Sequence, residues 1–110
     1  MSVTLYRYPV YLQERDWRAL VDGYTKRVVR FRAAAKVAQA RRVHDALREA
    51  EGDAYQDGDD MKYVLHIAED DYVALMAAVA SRFARLDAET RERVSHELAM
   101  AQGDARPVDA

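Results

Sequence analysis

The chain contains no cysteine among its 110 residues. The absence of thiols excludes disulfide bridges, thiolate zinc sites and a cysteine nucleophile. It is typical of intracellular proteins, and we expect a cytoplasmic location. Glycine and proline are also scarce, with four and two residues respectively. The scattered glycines form no loop of the kind that cradles phosphate groups.

Long apolar segments are missing as well. The longest apolar run, residues 72–80, falls far short of the roughly 20 residues that a membrane-spanning helix needs. The first residues show no basic segment followed by a long apolar stretch, so we expect neither a secretory signal nor a membrane partner. Half of the residues are apolar, which is enough for one small domain with its own core.

Charge is nearly balanced overall but unevenly distributed. The net charge is -2, yet residues 1–48 carry +7 and residues 49–110 carry -9. Two halves of opposite charge attract each other, within one chain or across a dimer. Nucleic acid is the alternative partner of the basic half, although a dedicated nucleic-acid binder is usually basic overall.

A stretch near the start of the chain recurs 55 residues later. Residues 12–21 and 67–76 share the pattern aliphatic-x-Glu-x-Asp-aromatic-x-Ala-Leu-aliphatic, and the same offset gives eight identities over residues 8–33. The recurrence predicts a duplicated strand-to-helix unit.

Two strands are predicted, over residues 3–12 and 61–67, and the second alternates cleanly between apolar and polar positions. Pro9 lies within the first strand, so we expect an edge position or a bulge there. Under the 55-residue offset the two strands share an apolar face and an outer face. The outer face pairs Arg7 with Lys62 and Tyr11 with His66, and the apolar face carries Tyr6, Tyr8, Val10, Leu12, Met61, Tyr63, Leu65 and Ile67.

An amphipathic helix is predicted after each strand. The apolar positions fall in the same helical register in both copies, and they are Trp17, Leu20, Val21, Tyr24, Val28 and Phe31 in the first and Tyr72, Leu75, Met76, Val79, Phe83 and Leu86 in the second. The first helix continues, or bends near Arg32, into a helix over residues 33–50. The last helix covers residues 88–102, with Asp87 as its N-cap.

These elements predict an α+β fold in a single domain, residues 1–110. It consists of two pseudo-repeats, about 1–50 and 61–103, joined by an acidic loop at 51–60 and followed by a polar tail at 104–110. Two short strands form a small antiparallel sheet that packs against about four helices. Because a two-stranded sheet is marginal alone, we expect a homodimer that builds a four-stranded sheet. The aromatic residues expected near that interface are Trp17, Tyr6, Tyr8 and Tyr11.

Acidic pairs at the helix starts resemble the paired carboxylates of acid–base catalysis. Glu14 and Asp16 precede one helix, and Glu69 and Asp71 the other. Negative charge at a helix start offsets the positive end of the helix dipole, so we interpret both pairs as helix-initiating residues.

Metal sites and nucleophiles are not predicted either. Asp53, Asp57 and Gly58 match a calcium-binding loop, but Tyr55 and Val64 occupy two of its ligand positions, so a solvated loop is expected. His44, His66 and His96 are too far apart in sequence to form a local metal motif. No serine sits in a glycine-flanked elbow. We therefore expect no enzyme activity, cofactor or small-molecule substrate.

Two surfaces are candidates for interaction. One is the strand face with Arg7, Tyr11, Lys62 and His66. The other is a basic stripe on the first helical region, either available to a phosphate backbone or masked by the acidic half. The stripe consists of Lys26, Arg27, Arg30, Arg41, His44 and Arg48.

The order strand, helix, helix resembles that of ribbon-helix-helix repressors. The second unit, residues 61–102, matches in order and length. In that family paired antiparallel strands enter the DNA major groove, which implies that Arg7 and Lys62 would face the bases.

Three functions follow as hypotheses. The first is a small regulatory protein of bacterial or phage type, judged by alanine and arginine usage, that acts without catalysis by contacting a partner protein. The second is a DNA-binding regulator that uses the strand face or the basic stripe. The third is a structural subunit of a larger assembly.

Overall fold

The computed structural model describes residues 5–30, 34–81 and 86–108. Two halves with the same element order make up these residues. The first half contains β1 (Leu5–Gln13), α1 (Glu14–Arg30), α2 (Ala34–Glu49) and β2 (Tyr55–Asp57). The second contains β3 (Asp60–Ala68), α3 (Glu69–Ala80), α4 (Ala88–Gly103) and β4 (Arg106–Val108). The α+β class, the antiparallel sheet and the four helices are confirmed.

The helix boundaries follow from the residues that begin them. Glu14 and Asp16 lie in the first turn of α1, and Glu69 and Asp71 in that of α3, as the helix-initiation interpretation requires. Asp87 is the N-cap of α4, as predicted, because its side chain accepts a hydrogen bond from the Thr90 backbone N–H at 2.7 Å. That bond lowers the pKa of the Asp87 carboxyl, since it stabilises the charged form.

The prediction of two strands was wrong, because the sheet has four in the order β2-β3-β1-β4. β2 lies inside the expected acidic loop and β4 inside the expected polar tail. Both are three-residue edge strands, and the side chains of β2 and of Arg106 and Pro107 in β4 are exposed, so neither strand shows the apolar alternation that marks a strand in sequence. Gly58, with a φ of 63°, turns β2 directly into β3.

Pro9 lies on a central strand, since β1 pairs with both β3 and β4. The pairing with β4 ends at Arg7, however, and Pro9 lies two residues beyond it. A missing N–H at Pro9 therefore removes no hydrogen bond between β1 and β4. The expectation of an edge position holds locally but not for the strand as a whole.

The strand register relates the two halves. Val10 pairs with Leu65, which is its counterpart at the 55-residue offset. The outer pairings correspond in the same way. Tyr55 of β2 lies opposite Lys62 of β3. Their counterparts in the other half, Arg106 of β4 and Arg7 of β1, also lie opposite each other. The sheet thus has approximate twofold symmetry about the Val10–Leu65 pair.

The second helices correspond at an offset of 51 residues, not 55. Four matched pairs on α2 and α4 show this offset, namely Arg42 and Arg93, Val43 and Val94, Leu47 and Leu98, and Ala50 and Ala101. Six of these eight side chains are buried in the core. The stretch from the start of the first helix to these pairs is four residues shorter in the second half, because Glu14 and Glu69 are 55 residues apart whereas the pairs are 51 apart. Duplication of an ancestral unit stays a prediction.

The core lies between one face of the sheet and the helices. Its largest fully buried side chains come from both halves and are Val10, Leu12, Leu20, Val43, Leu47, Leu65, Leu75, Val79, Val94 and Leu98. The apolar alternation predicted for the two long strands holds for Val10, Leu12, Tyr63, Leu65 and Ile67, which are buried, whereas Tyr6 is 40% exposed and does not follow it. Phe31 and Phe83, two of the predicted apolar helix positions, lie outside the described residues.

Aromatic stacks join the halves. Tyr8 of β1 stacks on Tyr72 of α3, and Tyr63 of β3 stacks on Trp17 of α1, with ring centroids 4.1 and 4.3 Å apart. Each helical ring also donates a hydrogen bond to a backbone carbonyl, Trp17 Nε1 to Leu47 at 2.6 Å and the Tyr72 hydroxyl to Leu98. Trp17 is therefore a core residue and not the interface anchor we expected.

A homodimer is expected from the sequence because a two-stranded sheet is marginal alone. The four-stranded sheet that was assigned to two chains forms within one chain. A second chain is therefore not needed to complete the sheet.

We predict that Tyr72→Phe lowers the free energy of unfolding by about 1 kcal/mol at pH 7, because it removes a buried hydrogen bond and keeps the ring stack. Burial raises the pKa of the Tyr72 hydroxyl from its usual value of 10.0. The unfolded chain therefore loses this proton at a lower pH than the folded chain, so Tyr72 makes stability fall as pH rises above 10.

Chemical denaturation at pH 7 and at about pH 10.5 tests this prediction, with Tyr8→Phe as the matched control. Tyr8→Phe keeps the same stack, and in the described part of the chain its hydroxyl has no hydrogen-bond partner. The alkaline loss should be clearly smaller in Tyr72→Phe than in the wild type, whereas Tyr8→Phe should retain most of it, because burial is the larger cause of the raised pKa of Tyr72 and the neighbouring Tyr8 the smaller one. Equal alkaline losses in all three proteins would contradict the assignment.

Candidate interaction surface

The side of the sheet away from the core is defined here as the outer face. In an antiparallel pair, residues directly opposite one another point to the same side. Among the residues whose side chains are described, the register therefore places twelve on the outer face, namely Arg7, Pro9, Tyr11, Gln13, Tyr55, Asp57, Asp60, Lys62, Val64, His66, Ala68 and Arg106. The predicted strand-face residues Arg7, Tyr11, Lys62 and His66 all lie on it.

No residue of the outer face is buried, whereas the opposite face supplies the strand part of the core. Two tyrosines are prominent on it, with Tyr11 38% exposed near the middle and Tyr55 44% exposed at one edge. Exposed aromatic rings with a polar tip are common at protein interfaces. The residues of this face are exposed or partly exposed, and α4 borders the face beside Tyr11 and Lys62.

Positive charge collects at one end of the outer face. Arg7 lies directly opposite Arg106 on the neighbouring strand. Both are exposed, and in the described residues neither forms an ion pair. Like charges directly opposite across two strands destabilise the pair. The basic end is thus a position where an external negative charge would stabilise the protein.

Negative charge collects at the other end. Asp57 lies directly opposite Asp60 next to the β2–β3 turn, and both are exposed. Lys62 is one outer-face position further in. Strands rise about 3.3 Å per residue, so the eight residues of β3 from the level of Arg7 to Asp60 separate the two ends by about 27 Å.

Helix α4 adds to the acidic end. An open groove of about 530 Å³ separates α4 from the outer-face residues Tyr11, Gln13 and Lys62. The α4 side of the groove carries four ionisable residues that belong to no buried pair, namely Glu89, Glu92, His96 and Glu97. The end of the sheet where β1 finishes is therefore acidic on two sides.

Two ion pairs hold the second helices at the sheet ends. Asp16 in the first turn of α1 binds Arg93 of α4 at 3.0 Å, and Asp71 in the first turn of α3 binds Arg42 of α2 at 3.2 Å. Each pair crosses from one half to the other. The Asp16 side chain is 4% exposed. The hydrogen bond to Asp16 raises the pKa of the Arg93 guanidinium, because it stabilises the charged form.

Sequence reasoning found both aspartates but not their partners. It assigned Asp16 and Asp71 to helix initiation, which is correct but incomplete, since both are also buried ion-pair partners. Arg42 and Arg93 stand 51 residues apart, so the 55-residue offset did not align them. The signal that could have found them is an arginine one residue before a buried valine in each second helix.

The predicted basic stripe is divided between two helices. α1 ends at Arg30 and α2 begins at Ala34, so the residues do not share one helical wheel. Lys26 binds Asp22, and His44 lies within hydrogen-bond distance of Thr25 at 3.0 Å, which joins α1 to α2. Arg41 and Arg48 are exposed on α2. The side chains of Arg27 and Arg30 lie outside the described residues.

A metal-binding cluster does not appear in the described residues. Over residues 5–30, 34–81 and 86–108, no cluster of three or more histidine and acidic side chains could hold a metal ion. The calcium-loop positions Asp57 and Gly58 belong to β2 and its turn. His66 and His96 are exposed on different elements. Ser81 caps the C-terminus of α3, where its hydroxyl donates to the Ala78 carbonyl.

No protein-family model, curated protein or solved structure matches this chain. Among the helices in the described ranges, none is both long and apolar enough to cross a bilayer.

We predict that Arg93→Leu lowers Tm by at least about 5 °C, because it leaves the Asp16 carboxylate buried without its partner. Arg18→Leu is the matched control, since Arg18 forms an exposed pair with Glu14 of the same helix. Exposed pairs of this kind contribute little, so its Tm should stay close to that of the wild type. Thermal unfolding followed by circular dichroism measures both, and equal Tm values would show that the cross-half pair is dispensable.

Proposed function

We propose that this is a small, non-enzymatic, cytoplasmic binding protein that regulates a partner protein by contacting it through the outer face. The observation that supports this most directly is the open outer face itself. It carries exposed tyrosines and charges of both signs that lack ion pairs within the described part of the chain. The opposite face already supplies the strand part of the core.

Segregated charge defines the kind of partner. The Arg7 and Arg106 end favours carboxylates, and the Asp57 and Asp60 end favours lysine or arginine, about 27 Å away along strands that rise about 3.3 Å per residue. A protein surface with the reverse pattern would satisfy both ends at once. Complementary charge of this kind increases the association rate and selects the orientation of the complex.

The test is affinity capture from a lysate of the source cells, followed by identification of the bound proteins. The bait is the wild type, the variant Arg7→Glu/Arg106→Glu, or the control Lys26→Glu/Arg48→Glu, which reverses two charges outside the outer face. We expect one or more proteins to bind the wild type and the control and to be lost with the outer-face variant. Recovery of nucleic acid alone, or of the same proteins with all three baits, would contradict the proposal.

DNA binding is the second candidate function, because Arg7, Lys62, His66 and Arg106 share one face. Two features disfavour it. The outer face also carries Asp57 and Asp60, and the net charge is -2. In addition, the DNA major groove admits a two-stranded ribbon, whereas β2 and β4 flank β3 and β1 here. Insertion of the strands as in ribbon-helix-helix repressors is therefore disfavoured.

We predict no DNA mobility shift at about 50 mM salt, where phosphate contacts are strongest. A gel-shift titration with mixed-sequence duplex DNA tests this, with Arg7→Glu/Arg106→Glu as the comparison. Binding by the wild type that this variant loses would favour the DNA-binding function over the protein-binding one.

A further inference from the structure

We propose that a second copy of this chain occupies the outer face when no other partner is bound, so that the free protein is a face-to-face homodimer. The proposal rests on the outer face being the interaction surface, as argued above. Its basis is that this face carries two arginines, Arg7 and Arg106, at one end and two aspartates, Asp57 and Asp60, at the other.

The geometry of such a dimer follows from the strand register. Arg7 and Arg106 lie between β1 and β4, while Asp57 and Asp60 lie between β3 and β2. A twofold axis parallel to the sheet, midway between the two outer faces and perpendicular to the line joining the two ends, places the basic end of one copy over the acidic end of the other. Both contacts form together, because a twofold interface repeats each contact.

The centre of this interface is defined as well. If the register is continued two residues past the end of β1, residue 15 is level with Asp60 of β3. The point halfway between this position and Arg7 is the pair formed by Tyr11 and Val64. Tyr11 is 38% exposed there and would lie next to its counterpart from the second copy. A tyrosine at the middle of an interface is a common position for a strongly contributing side chain.

The energetic argument concerns the charges that repel one another in the monomer. Arg7 and Arg106 face each other across two strands, as do Asp57 and Asp60. Each pair destabilises the monomer, and each is neutralised when the other approaches from a second copy. The contacts are solvent-exposed ion pairs, so salt should weaken the dimer.

Charge reversal with mutual rescue tests the proposal. The basic-end variant is Arg7→Glu/Arg106→Glu, and the acidic-end variant is Asp57→Lys/Asp60→Lys. In a homodimer of either variant, like charges meet at both contacts. In a mixture of the two variants, opposite charges meet at both contacts. The control is Lys26→Glu/Arg48→Glu, which changes no outer-face residue.

Sedimentation velocity at about 50 mM and about 1 M salt gives the native mass of each sample. We expect the wild type and the control to be dimeric at low salt. Each outer-face variant should dissociate with a Kd at least tenfold higher, and an equimolar mixture should form a heterodimer. Circular dichroism of each variant verifies that it is folded before its mass is interpreted.

A monomeric wild type at low salt, variants that stay dimeric, or folded variants that fail to rescue each other would overturn the proposal. A monomeric wild type that still captures a protein through the outer face would overturn self-association alone and leave the proposed function in place. A wild type that is monomeric and that captures no protein through the outer face would contradict both proposals.

Discussion

The antiparallel pairing of β1 with β3 is the constraint on which the rest of the structure depends. It joins the two halves with Val10 opposite Leu65. Each of these strands runs directly into a helix. Because the two strands are antiparallel, α1 and α3 start at opposite ends of the sheet. The end strands β2 and β4 can then pair with the strand of the other half. Every element of the fold is therefore positioned by contacts between the halves.

The contacts between the halves include aromatic stacks and ion pairs, and each kind occurs twice, at equivalent positions in the two halves. Tyr8 and Tyr63 each stack on an aromatic residue of the other half, and Asp16 and Asp71 each bind an arginine of the other half. Either half alone would expose these aromatic rings and leave the carboxylates unpaired. The two halves are thus one cooperative unit.

The sequence predicted what periodicity and spacing record. The long strands, the helix starts and the Asp87 cap all have local signals, and so does the alternation that places Arg7, Tyr11, Lys62 and His66 on one face. The short strands β2 and β4 have no such signal, because the described side chains of both are exposed and backbone pairing holds them in the sheet. The arginine partners of Asp16 and Asp71 lie 77 and 29 residues away along the chain, and no local pattern joins them. Only three-dimensional placement shows them.

The divergence of the halves gives the outer face its polarity. Under exact twofold symmetry, the two ends of this face would carry the same charges, and a second copy lying head to tail would be repelled at both ends. The counterpart of Arg106 is Tyr55, and the counterparts of Asp57 and Asp60 are Val108 and Leu5. One end therefore has one cation fewer and two carboxylates more than the other. The two ends of the face differ in charge because corresponding positions carry different residues, although the strand pairing beneath them is approximately twofold symmetric.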